Sequence, residues 1–595
     1  MLTPLLALVV AVSDSATFIR VNQVGYLPDA PKVAIACSLG NATPGTFVVK
    51  DERGRTVFGP RRAESGGAFG PCVTVHRLDF TALHKTGRYR IVAGTDSSSV
   101  IRIGPRVYDG AADTLLYYMR QQRSGWNPLF KDSVHTRDAI IVDSPRAGEV
   151  VSVSGGWADA SDYLQYVTTS AYATYVMMMA YRDHSWAFAD HFDANGVAGS
   201  NGIADVLDEA RHGLEWLSRM FPDSSLMFNQ IADDRDHAFF DLPNNDSSDY
   251  GWGRGKERPV YPCTGKPQGL FQHKNRSTGY ASTAGKYASA FAIGARMFAD
   301  RDSAFASVLR RKARMAYEIG RANPGVCQTA PGRAPYFYEE DNWTDDMELG
   351  AAELHALTGD RAMLAEAIAY AQQEPKTPWM GADTANHYQW FPWHNNGHYE
   401  IWRNATTRAD TMTRVQMAEF YRRGLEAVAG RAENGFRIGV PFIWCSNNLM
   451  ASFATQALLY RRMTGDNRYR GYEQAAIDWL FGTNPWGTSM VIGYPHDAVT
   501  ATDPHSAVSA RLGVDKLLGG LLDGPVYRSI YQNLRGITLH HSDRYERFNT
   551  GRMVYHDDLG DYSTNEPIMD GTANMTYLMS ALAYRRSTSP RMGSR

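Results

Sequence analysis

A chain of 595 residues exceeds what one ordinary hydrophobic core holds, so roughly two to four domains, or one large toroidal domain with a small companion, are expected. Its 61 basic and 63 acidic residues leave a net charge of -2, which excludes the electrostatic footprint of a nucleic-acid binder. Aromatic residues make up 12%, with 13 Trp and 32 Tyr, enough to fill a core and still face flat apolar surfaces such as sugar rings.

Residues 5–12 (LLALVVAV) form an apolar run ahead of Ser13-Asp14-Ser15-Ala16. This pattern predicts a signal peptide over residues 1–16 and secretion or periplasmic export, although no positive residue precedes the run. No later stretch reaches the roughly 18 apolar residues a membrane span needs, so no membrane attachment is expected of the mature chain. The five cysteines, Cys37, Cys72, Cys263, Cys327 and Cys445, lack a C-x-x-C pair, against a zinc ribbon or a disulfide-dense scaffold. Cys37 and Cys72 are a candidate pair, but spacing alone does not fix the pairing.

From residue 17 to 105, short alternating segments such as Thr46-Phe47-Val48-Val49-Lys50 and Gly87-Arg88-Tyr89-Arg90-Ile91-Val92 are divided by Gly, Pro and Asp turns, predicting a small β-sandwich. From 106 to 588 three-to-four spacing takes over. In Asp205 to Met220 the apolar Leu207, Ala210, Leu214 and Leu217 share one stripe, predicting an amphipathic helix. Tyr280–Phe298 and Ala304–Tyr317 form a helical pair, and Gly359-Asp360 and Gly465-Asp466 each end one helix and cap the next. Helical hairpins without a strict repeat favour a closed α-toroid over an open solenoid.

Gly155-Gly156-Trp157-Ala158-Asp159-Ala160-Ser161-Asp162-Tyr163 sets two carboxylates three residues apart. Held close, they perturb each other's ionisation, although an Asp-x-x-Asp pair alone is more often a capped turn. Tyr562-Ser563-Thr564-Asn565-Glu566-Pro567 leads into a helical stretch from Ala573 to Tyr584. Desolvation there raises the pKa of Glu566 as a general acid needs, while the helix dipole opposes it; a first-turn Glu that complements the dipole is the competing reading.

Together these segments carry a family resemblance. Phe18-Ile19-Arg20-Val21-Asn22-Gln23-Val24-Gly25-Tyr26-Leu27-Pro28 resembles the opening strand of the immunoglobulin-like domain that precedes many bacterial family 9 glycoside hydrolases. Arg120-Gln121-Gln122-Arg123-Ser124-Gly125, the Gly155–Tyr163 stretch, Asn201–Arg211, Gly482-Thr483-Asn484-Pro485 and Asn565-Glu566 resemble that family's landmarks in order. The resemblance implies a mainly α protein, with an immunoglobulin-like β-sandwich at 17–105 and an (α/α)6 barrel at 106–588. It implies inverting hydrolysis of β-1,4-glucan with Asp162 as base, Asp159 holding the water and Glu566 as acid, the carboxyls roughly 6.5–9.5 Å apart. Such a chain needs no organic cofactor and is expected to act as a monomer on a β-glucan poly- or oligosaccharide.

Ser161 stands where the family writes Gly, which puts the aim of Asp162 in question. Asp503-Pro504-His505-Ser506 keeps the His but not the Arg of the family's Pro-His-His-Arg, so His505 is the substrate contact, with His496 its local competitor. Trp157, Tyr562, Trp343, Trp390 and Trp393 complete the expected substrate-binding set, while Trp402 reads as core. The positions where some relatives hold zinc read Ser124 and Val134 beside His135, so zinc is not expected. Asp341, Asp345 and Asp346 offer hard oxygens for calcium, against the alternative of an acid-rich helix start. The rival readings are an exo-acting glucosidase or glucosaminidase of the same fold, and a binding relative that has lost catalysis.

Overall fold

The computed structural model describes residues 16–335, 338–374, 380 and 396–585. Two packed sheets open the chain, built from β1 (Thr17–Arg20), β2 (Val33–Ser38), β3 (Thr46–Asp51), β4 (Thr56–Arg62), β5 (Glu64–Ser65), β6 (Thr74–Asp79), β7 (Gly87–Ala93), β8 (Asp96–Ser97) and β9 (Ile101–Ile103). One sheet runs β1-β2-β6-β5 and the other β4-β3-β7-β8, with β9 also on β7. Alternate residues such as Phe47, Val49, Tyr89 and Ile91 turn inward to a core shared with Ala34, Ala36 and Leu78, as period-two patterning requires.

Twelve helices of at least nine residues follow among the described residues: α1 (Ala111–Gln121), α2 (Val167–His184), α3 (Asp205–Met220), α4 (Ala281–Met297), α5 (Ser303–Ala322), α6 (Thr344–Thr358), α7 (Arg361–Ala371), α8 (Asn396–Asn404), α9 (Thr411–Arg431), α10 (Ser446–Thr464), α11 (Arg470–Leu480) and α12 (Met569–Leu582). The predicted amphipathic helix is α3, with Leu207, Ala210, Leu214 and Leu217 buried. Gly359 takes the left-handed conformation at the end of α6, and Asp360 caps α7 by accepting from the Ala362 N–H at 2.9 Å. After Gly465, which also ends its helix left-handed, Asp466 instead folds back on Arg468, and α11 starts only at Arg470.

α2, α4, α6, α10 and α12 are buried on nearly every side, whereas α5 buries one stripe and solvates the rest. A helix enclosed all round needs a second layer outside it. Going round, α2 packs on α4, α4 on α6 and α6 on α8; α9 packs on both α8 and α10, α10 packs on α12, and α12 returns to α2, closing the ring. Tyr172 donates to Asn574 Oδ1 at 2.7 Å, and Asn574 Nδ2 donates to Asn448 Oδ1 at 2.8 Å, joining α2, α12 and α10. The fold is an (α/α)6 barrel behind an immunoglobulin-like sandwich.

The sandwich is not a loose appendage. Val24, Ile35, Cys37, Phe69, Cys72 and Val75 belong to the same apolar cluster as the barrel. Asn22 Nδ2 donates to Asp478 Oδ1 on α11 at 2.8 Å. Burial pushes the Asp478 carboxyl up to about 7. Asn22→Ala removes a buried donor and is expected to cost about 1–3 kcal/mol; an unchanged melting temperature would show that the pair contributes nothing. Cys37–Cys72 and Cys263–Cys327 are disulfides, and Cys445, outside both, hydrogen bonds to Asp523.

Candidate active site

The loop from Gly155 to Leu164 leads directly into the strand Gln165–Tyr166 and α2. Gly155 and Gly156 have φ of +121° and +76°, and a Cβ on Gly156 would meet Trp216 at 2.6 Å, so no larger residue fits there. Trp157 is 0% exposed and donates through Nε1 to Glu209 Oε1 at 3.0 Å. Arg123 grips both oxygens of Glu209, at 2.9 and 2.8 Å, and Gln122 Nε2 donates to the Ala160 carbonyl at 2.5 Å. The sequence reading of Trp157 as a substrate-binding residue is therefore corrected: its indole faces the core beneath the loop and anchors it.

Of the two aspartates, Asp159 is 8% exposed and enclosed. It accepts from the Thr169 hydroxyl at 2.6 Å and the Tyr338 hydroxyl at 2.5 Å, and burial, aided by the charge of Asp162, pushes its carboxyl well above the usual range. Asp162 is 21% exposed at its side chain; Oδ1 accepts from the Leu164 N–H at 3.1 Å and Oδ2 lies 3.4 Å from His237 Nε2.

Glu566 reaches the same place from the far end of the chain. Oε1 accepts the Ser161 N–H at 3.0 Å and also hydrogen bonds to the Ser161 hydroxyl. Its carbonyl accepts from Asp523 N–H at 2.8 Å, and Met569 N–H donates to the Asp159 carbonyl at 3.0 Å, stitching the start of α12 to the aspartate loop. Pro567–Ile568 pairs with Leu521–Leu522 before α12 begins at Met569, so Glu566 stands ahead of the helix rather than in its first turn. Burial first, then the charge of Asp162, pushes Glu566 up to about 8, against the pull of Ser161 and His237. It is thus protonated at neutral pH.

His237 was not singled out by the sequence. Burial pulls its pKa down, but the hydrogen bond and charge of Asp162 outweigh this and bring it up to about 9, so it is an imidazolium at neutral pH. Its neighbour Asp236 accepts the Tyr163 N–H at 2.7 Å and fixes the loop from the other side. The signal available was an acidic turn, Asp233-Asp234-Arg235-Asp236-His237, with no spacing that ties it to residue 162.

A row of rings leads away from the carboxyls. Phe240, 40% exposed, lies 5.0 Å from the His505 ring. His505 lies 6.2 Å from Tyr562, which stacks on Trp444 at 6.2 Å. His505 Nδ1 is 2.5 Å from the Leu559 carbonyl, an acceptor, so Nδ1 carries the hydrogen; burial lowers its pKa and leaves Nε2 as an acceptor. His505 and Tyr562 are thus brought together, and Trp444 is an addition. Trp343 packs edge-on against Tyr370 of α7, Trp402 stacks on Tyr399 with Arg414 over its ring, and His496 is exposed. Trp390 and Trp393 lie outside the described residues.

The expected calcium ligands meet protein cations instead. Asp341 pairs with Arg276 at 3.2 Å, and Asp346 accepts from the buried Lys286 ammonium at 2.6 Å, which also bonds Glu340. Among the described residues no group of three or more His, Cys, Asp or Glu side chains is placed to hold a metal. The donor set of Asp341, Asp345 and Asp346 does not converge on a calcium ion, because Asp341 faces Arg276 while Asp345 and Asp346 face the Lys286 charge.

The description "Glycosyl hydrolase family 9" matches residues 108–579, and "Cellulase N-terminal ig-like domain" matches residues 14–98. The chain belongs to glycosyl hydrolase family 9. Among family 9 relatives, Endoglucanase C of Cellulomonas fimi is 26% identical over 97% of this chain and 53% of its own length. The chain thus spans about half of that protein. Cellodextrinase of Butyrivibrio fibrisolvens is 23% identical over 95% of this chain and 99% of its own. A solved metagenome-derived family 9 endoglucanase superposes with a TM-score of 0.74 at 26% identity, covering 96% of this chain and 99% of that one.

Proposed function

We propose that this chain is an endo-acting glucanase that hydrolyses β-1,4-glucosidic bonds with inversion. One observation carries the reading: Glu566, whose Oε1 accepts the Ser161 N–H at 3.0 Å and whose carboxyl burial pushes up to about 8, meets the Asp159–Asp162 loop, where Asp162 Oδ2 lies 3.4 Å from His237 Nε2. Inversion needs one acid and one base. Asp162 takes a proton from water as the water oxygen bonds the anomeric carbon. The bond to the glycosidic oxygen breaks, and that oxygen receives the proton of Glu566. Asp159 orients the water, and His237, 3.4 Å from Asp162 Oδ2, holds the base in position. Solvent then reprotonates Glu566 and deprotonates Asp162.

The row Phe240, His505, Tyr562 and Trp444 offers stacking faces beyond a single sugar, which favours an extended chain over a terminal unit. The endoglucanase names among the relatives support the same substrate class. Two disulfides and the apolar run at residues 5–12 support export, and among the described residues no helix is long and apolar enough to cross a membrane.

Carboxymethyl cellulose is expected to lose viscosity early, with α-configured new ends seen by NMR. Monomer release without that viscosity drop would replace the endo reading with the exo one. Because the acid must enter protonated, the rate should fall above about pH 8; a rate still rising at pH 10 would contradict Glu566 as acid.

A further inference from the structure

Ser161 presents its amide N–H and its hydroxyl to the same oxygen, Oε1 of Glu566. An amide can only donate, so Oε1 must offer it a lone pair, and the hydroxyl hydrogen is free to turn toward the same atom. Two donors on one oxygen make it the better place for negative charge and the worse place for a proton.

We propose that Ser161 is a positioning residue for the acid: it fixes Oε1 as acceptor, leaves Oε2 as the oxygen that carries the proton, and receives the charge released on donation. The proposal rests on the reading of Glu566 as general acid. As the leaving oxygen takes the proton, the electron pair of the Oε2–H bond stays on the carboxyl group and spreads to Oε1. There the Ser161 donors, already in place, meet it without reorganisation.

The other groups that act on Glu566 are Asp162, Asp523, Tyr118, Tyr562 and His237. None of them changes when the Ser161 hydroxyl is removed, so a shift in the alkaline limb reports that hydroxyl. Without it the carboxylate is less stable and the acid weaker. A weaker acid slows departure of a sugar, but not of a leaving group that departs as a stable anion.

Ser161→Ala and Ser161→Gly both keep the amide and remove the hydroxyl. Each should move the alkaline limb on carboxymethyl cellulose up by about one pH unit and lower the plateau rate about tenfold. On dinitrophenyl β-cellobioside the rate should stay within about twofold of the parent. Profiles of both variants superimposable on the parent, or equal losses on the two substrates, overturn the proposal. Glu566→Gln run alongside separates the two ideas. If it is inactive on carboxymethyl cellulose while the Ser161 variants match the parent, only the role of Ser161 falls; if it keeps full activity, the acid assignment falls and takes Ser161 with it.

Discussion

Glu566→Gln and Asp162→Ala should each lower turnover on soluble β-glucan by about a thousandfold while the protein stays folded. The amide of Gln is the size of the carboxyl it replaces and keeps an oxygen for Ser161, so the loop stays anchored, but it has no proton to give. Asp162→Ala removes the acceptor of the Leu164 N–H and the partner of His237, both at a partly exposed position, a cost of about 1 kcal/mol. Water then meets no base on that side of the sugar. Kinetics on carboxymethyl cellulose with circular dichroism on the same samples decides the matter: a folded variant within about tenfold of the parent would remove that residue from the mechanism.

Lys286→Met should be the most damaging change away from the carboxyl pair, destabilising the chain by about 3–5 kcal/mol. Its ammonium lies 2.6 Å from Asp346 Oδ2 and also bonds Glu340, with Asp345 adjacent in sequence, all enclosed between α4 and α6. Burial drives the carboxyls of Asp346 and Glu340 upward and that of Asp345 to about 7, and Lys286 counteracts it in all three. Without the ammonium their folded-state pKa values rise further above the unfolded ones. The penalty is then greatest above pH 7 and shrinks as pH falls toward the unfolded carboxyl range near pH 4. Thermal unfolding at pH 5 and pH 8 tests this, and an equal loss at both would refute it. The same measurement on the parent chain should show no calcium effect; a calcium-dependent rise in melting temperature would restore the ion that Lys286 displaces.

Elements that face water on one side were readable from their residues, since burial on one face writes a period into the chain. The sandwich strands and α3 are of this kind, and α3 runs over the predicted residues. Helices of the inner ring have no polar face to mark their orientation, so α12 was expected only as a general helical stretch from Ala573, and it begins about one turn earlier, at Met569. The lack of a strict repeat favoured a closed toroid, but its form as an (α/α)6 barrel came from the resemblance. The same division holds in the site. Asp159, Asp162 and Glu566 were singled out as members of motifs, whereas His237 sits in a turn whose approach to Asp162 is set by the tertiary fold. Trp157 was misread because an aromatic residue next to catalytic-looking acids gives no hint of which side of the loop it faces. Ser161 was seen as a disturbance to Asp162; its hydroxyl in fact addresses Glu566, more than four hundred positions away.

Because the apolar cluster passes without a break from the first sheets into the helical ring, a cut near residue 105 would not release a tidy catalytic fragment. It would leave Phe436, Phe442 and Trp479, which now pack around Phe69, facing solvent as an adhesive scar. Anyone trimming this chain for expression should treat the leading hundred residues as part of the wall of the reactor rather than as its packaging.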